Sequence, residues 1–146
     1  MLDDIKNEIK KIAESVSGIG KVYDRMVYAK DQAQLKELFV KDSVLNALMF
    51  RCKTRTASGA EGQAKELYIK RTWLFKLVYG YNFENNSEKS FDTLCSEICK
   101  AFNTNFTLNG KVRKHTYLDI KNKYDAEYHG VIAHFGELEF ATDEIG

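Results

Sequence analysis

Four short constellations in this 146-residue chain contain residue types capable of chemistry. Gly18-Ile19-Gly20-Lys21 has the glycines and lysine of a phosphate-binding loop. Such a loop needs GxxxxGK followed by Ser or Thr, between a strand and a helix, so that backbone N–H groups cradle phosphate. Here Val22 replaces the hydroxyl, Ser15 stands where the first glycine belongs, and a helical pattern precedes the glycines, so they read as a helix stop. Cys95 and Cys99 are one helical turn apart, with Cys52 distant. A structural zinc site wants four ligands, and His129 and His134, five apart, would point to opposite faces of a strand. The cysteines read as small buried hydrophobes, and no adjacent base marks one as a nucleophile. Asp119-Ile120-Lys121 has the acid-x-Lys form of metal-dependent nucleases. That chemistry requires a second carboxylate on a neighbouring strand, and the nearest upstream acid, Asp92, falls on a helical segment. Glu137 and Glu139 face one way on a strand, as paired glycosidase acids do, but charge protecting an exposed sheet face or edge explains them more simply. The expectation is a protein that is not an enzyme, with no catalytic residue, metal or cofactor.

The elements that must position these residues are legible from periodicity. Leu2, Ile5, Ile9, Ile12, Val16 and Ile19 form one apolar stripe on a first helix, with Asp3 and Asp4 in its first turn. Asp31 starts a second helix, with Gln34 as capping-box partner. Ala47–Thr56 alternates with a period near two, and Leu67–Tyr81 is rich in β-branched and aromatic residues. Together they predict a hairpin whose connection, residues 57–66, is small, polar and mobile. Ser87 is the expected cap of a third helix presenting Phe91, Leu94, Cys95, Ile98, Cys99 and Phe102. Strand-like runs follow near Lys114–Lys121 and Glu127–Ala141. The order α-α-β-β-α-β-β predicts an α+β fold: an antiparallel sheet of about four strands with two to three helices on one face. Length and the absence of repeats predict a single domain over residues 1–146.

Composition bounds the partners. The chain is 44% hydrophobic and contains no proline, where average usage would give about seven. It is therefore no disordered or Pro-rich segment. Lys and Arg total 22 against 21 Asp and Glu, leaving no global field toward nucleic acid or anionic lipid. No apolar run is long enough for a membrane helix, and the N-terminus lacks the apolar run of a signal peptide, so a reducing cytoplasm is expected. Local charge is less even. Lys41 to Lys76 holds eight basic residues against three acidic, and residues 124–146 hold six acidic residues and no Lys or Arg. One functional expectation is self-association through Arg51, Lys53, Arg55, Lys70 and Arg71 on the hairpin and Glu137 and Glu139 on the acidic end. Head-to-tail pairing of such unlike patches makes closed rings or filaments. The alternative is a small nucleic-acid-binding module using the basic hairpin 47–81, with Tyr68 and Trp73 as stacking platforms. Near-zero net charge favours the first, since nonspecific DNA binders carry a basic field over the whole domain.

The chain also resembles a known family. A helix ending in GIGKVYDRMVYAKD, a short second helix, a returning strand with RTWLF, a helix opened by SEKSF and a closing strand VIAHFGELEF are together similar to small bacteriophage and prophage tail terminator, or tail-completion, proteins. The likeness lies in element order, length and local texture over most of the chain, without an invariant motif. It implies a non-enzymatic structural protein that assembles with itself into a ring, commonly a hexamer, capping the tail tube and joining it to the head. Its implied partners are other copies of itself and tail-tube and head-connector proteins; composition separately predicts no membrane partner, and the near-zero net charge disfavours nucleic acid. Its implied location is the virion, and the host bacterial cytoplasm during assembly.

Overall fold

The apolar stripe of the first segment forms a helix only as far as Glu14: α1 (Leu2–Glu14) buries Ile5, Ile9, Ile12 and Ala13, while Val16 and Ile19, expected on the same helix, lie beyond its end. The computed structural model describes residues 2–59 and 68–145. After α1 come β1 (Lys21–Tyr23), α2 (Gln32–Phe39), β2 (Val40–Lys41), β3 (Val44–Ser58), β4 (Tyr68–Gly80), α3 (Ser87–Asn103), β5 (Lys114–His115), β6 (Asp119–Tyr128) and β7 (Val131–Ile145). The expected loop 57–66 begins inside β3, where Ala57 and Ser58 pair with Ile69 and Tyr68. Residues 60–66 lie outside the described residues.

The expected four-stranded antiparallel sheet is corrected to a seven-stranded mixed one. Four long strands, β3-β4-β7-β6, form an antiparallel spine. The other three are only two or three residues long, too short to carry a period-two signal. β1 pairs in parallel with β3 at Ala47–Met49, β2 pairs with β3 at Val44 and Leu45, and β5 pairs with β7 at Thr142 and Asp143. Lys114 and Asp119, expected on one run, belong to separate strands.

The placement of helices on one face is also corrected. Alternation along the spine makes two cores. Leu48, Phe50, Trp73, Phe75, Leu77, Leu138 and Phe140 meet α1 and α3 on one side. Ala47, Met49, Val78, Ala133 and Phe135 meet Leu35 and Phe39 of α2 on the other. These strands are apolar on both sides, so their pattern could not say which face each helix takes.

Local signals decide the ends. Asp31 caps α2 by accepting from Gln34 N–H at 2.8 Å, and Gln34 reaches back to accept from Lys30 N–H at 2.8 Å. On α3 the cap is Asn86, not Ser87: Asn86 has φ 49° and accepts from Lys89 N–H. Gly18, at φ +83°, ends the turn after α1. At Gly20 a Cβ would lie 1.8 Å from the Asn46 carbonyl oxygen, so only glycine lets the chain enter β1 beside β3. His129 and Gly130, at φ 50° and 80°, make the two-residue turn between β6 and β7.

Candidate functional site

The two charge patches seen along the chain are neighbours in space. β4 pairs with β7 along its whole length, placing Lys76 opposite Glu137 and Lys70 opposite Asp143. Lys53 Nζ lies 3.2 Å from Glu139 Oε1. Arg71, 8% exposed, donates from Nε to the buried Glu144 at 2.7 Å. The acidic segment thus partly neutralises the basic hairpin within one chain. Arg71 is spent internally and faces no partner. Arg51, Lys53, Arg55 and Lys70 remain exposed, and Glu137 and Glu139 are half-buried.

Arg51, Lys70, Glu137 and Glu139 share the sheet face that α2 covers only in part, and Lys53 reaches Glu139 on it, whereas Arg55, in register with Arg71, belongs to the other face. The outer edge of β3 is covered by β1 and β2 only as far as Met49. From Phe50 to Ser58 no described strand pairs with that edge, and β6 likewise pairs only with β7. The register slips at Lys53 in β3 and at Lys121 in β6. Slips and charges of this kind blunt an edge against indiscriminate strand addition.

The other constellations are also fixed by packing. Lys21 donates its ammonium to the Glu37 carbonyl, away from any glycine cradle. Burial, assisted by the nearby Asp92 and Cys99 and opposed by Lys123, pushes the Cys95 thiol up to about 12. Burial, with Asp119 nearby, pushes Cys99 up to about 11. Both thiols stay protonated at neutral pH, the wrong state for nucleophilic attack. Asp119 does have a carboxylate opposite it on the next strand, Glu139, but Lys53 holds that one. Among the described residues no three His, Cys, Asp or Glu are grouped to hold a metal ion.

One arrangement was not legible in the sequence. Ser87 Oγ lies 2.8 Å from His134 Nε2, and His134 Nδ1 lies 2.6 Å from Asp125 Oδ1. In the tautomer with its proton on Nδ1, His134 donates to the Asp125 carboxylate and Nε2 accepts from the serine hydroxyl. The connectivity is that of a hydrolase triad, but the accessibility is reversed. Ser87 is 4% exposed and also accepts Asn82 N–H at 2.7 Å, whereas the Asp125 side chain is 60% exposed. A triad needs its serine open to substrate and its acid sheltered. This chain of bonds instead ties the start of α3 and the preceding turn to β6 and β7. A sequence signal would have required pairing residues 87, 125 and 134 across three elements, which no local pattern does.

Two of the concavities on the described surface border the elements above. An apolar groove of about 230 Å³ runs under α2 between Phe39, Met49, Tyr124, Tyr128 and Phe135. A larger cleft, about 730 Å³, lies at the far end of the sheet and is lined by Tyr68, Lys70, Arg113, Lys114 and Asp143 among others. No protein-family model matches the chain, and no curated protein matches it.

Proposed function

We propose that this protein is a non-enzymatic structural subunit of a phage or prophage that terminates or completes the tail through ring assembly and joins it to the head. The observation that carries the reading is the open outer edge of β3 from Phe50 to Ser58. It is the part of β3 that runs beyond β1 and β2 while staying paired with β4 on its other side, and it bears Arg51, Lys53 and Arg55 on exposed positions. An edge of unpaired backbone N–H and C=O groups, screened by charge, suits regulated addition to another subunit. Other copies of the chain, the tail tube and the head connector are the partners this reading implies. The nucleic-acid alternative loses one of its two stacking platforms, because Trp73 is fully buried and donates Nε1–H to Thr142 Oγ1 at 2.9 Å.

The test is the state of association. Sedimentation velocity across a wide concentration range, and electron microscopy with tail-tube protein, should show a closed oligomer. A monomer under every condition, tube included, overturns the reading.

A further inference from the structure

We infer that copies of this chain join head to tail, the turn before α3 of one inserting Phe83 and Glu84 into the cationic cleft at the opposite end of the next copy's sheet. The inference rests on the self-assembly reading and names the surfaces it would use.

The inserting part is a built tip. Phe83 is 83% exposed, more than any other large hydrophobic side chain described, and Glu84 beside it is also exposed. The turn that carries them is tightly bonded. Asn86 N–H donates to the Phe83 carbonyl at 3.2 Å, Ser87 N–H to the Asn82 carbonyl at 3.0 Å, and Asn85 N–H to Asn82 Oδ1 at 3.2 Å. The Ser87–His134–Asp125 chain anchors that turn to the sheet, so ordering it on contact costs little further entropy. This gives the triad-like arrangement a purpose that does not require chemistry.

The receiving part is the cleft of about 730 Å³. Three cations and one carboxylate line it. Lys70 and Lys114 both stand opposite Asp143 on its flanking strands, and Arg113 lies 3.9 Å from it. The excess positive charge is suited to a carboxylate supplied from outside. Tyr68 forms an aromatic wall with the Arg113 guanidinium 5.3 Å from its ring centroid, a surface on which a phenyl ring can pack.

Tip and cleft lie at opposite ends of β4, whose 13 residues span about 40 Å at the usual strand rise. A contact between two different patches at opposite ends is heterologous, and it closes as a ring or continues as a filament according to the rotation between copies.

The experiment uses two exposed-surface variants of the full chain, Phe83→Ala/Glu84→Lys and Lys70→Glu/Lys114→Glu, with circular dichroism and thermal melts to verify folding. Each alone should raise the dissociation constant for assembly at least tenfold by sedimentation. Mixed, they should give a dimer and stop there, because each retains one working end. Combining Glu84→Lys with Lys70→Glu in one chain should recover part of the lost assembly. Wild-type assembly in both variants overturns the inference while leaving the self-assembly reading intact. A wild-type chain that never associates overturns both. If the cleft variant assembles normally but loses salt-sensitive binding to a single-stranded DNA 20-mer, the cleft serves nucleic acid and the inference fails.

Discussion

Arg71 and Glu144 form a buried ion pair at 2.7 Å across β4 and β7, with side chains only 10% and 5% exposed. Both are charges that sequence reading assigns to opposed surface patches, and the fold joins them to each other. Removing one partner leaves the other charged and dry. Arg71→Ala should therefore cost about 3–5 kcal/mol in urea unfolding. Arg71→Met with Glu144→Leu should restore most of that loss. A single variant as stable as wild type would show that water reaches the pair.

Ser87 is expected to hold structure rather than attack a substrate. Ser87→Ala leaves His134 Nε2 and Asn82 N–H without their partner and should cost about 1–3 kcal/mol. A fluorophosphonate probe should leave the native protein unlabelled at Ser87. Stoichiometric labelling there would reopen a hydrolase reading.

The buried thiols make stability fall at high pH. An ordinary thiol value of 9.0 applies to the unfolded chain, against about 12 for Cys95 and about 11 for Cys99 in the fold. Between these values the unfolded chain releases protons that the native one retains, so stability decreases as pH rises. Below pH 9 this contribution should be flat. Cys95→Ala should be less stable at pH 7, through its cavity, yet lose less stability between pH 9 and 11. An unchanged alkaline slope in the variant would refute the assignment.

Gly20 should tolerate no side chain. A Cβ would overlap the Asn46 carbonyl at 1.8 Å, so Gly20→Ala must displace β1 from β3. A loss of about 2–3 kcal/mol is expected, whereas Gly18→Ala meets no atoms within 4 Å and suffers only from its φ of +83°. Thermal melts of the two variants should rank Gly20→Ala lower.

Charge reversal of Arg51, Lys53 and Arg55 to Glu should weaken assembly while changing the unfolding free energy by less than about 1 kcal/mol. All three are exposed, and exposed pairs such as Lys53–Glu139 contribute little. Sedimentation of the triple variant decides the matter: assembly equal to wild type removes this edge from the interface.

The sequence by itself determined the elements that carry long, regular patterns. The stripe from Ile5 to Ile12, the stripe from Phe91 to Phe102, the alternation of residues 47–56 and the β-branched and aromatic content of the run 67–81 are properties of neighbouring residues, and α1, α3, β3 and β4 formed within these stretches. Asp31 and Gln34 announced the start of α2 for the same reason. Only the tertiary structure decided which elements meet. β1, β2 and β5 exist because longer strands offer them an edge to bond, and α2 took the face opposite α1 and α3 because the central strands are apolar on both sides. The charged segments 41–76 and 124–146 became adjacent strands because sheet pairing follows register, not net charge. Ser87, His134 and Asp125 show the same limit. Ser87 and His134, 47 positions apart in sequence, share a hydrogen bond of 2.8 Å because both are buried where α3 meets the sheet, and buried polar atoms need partners.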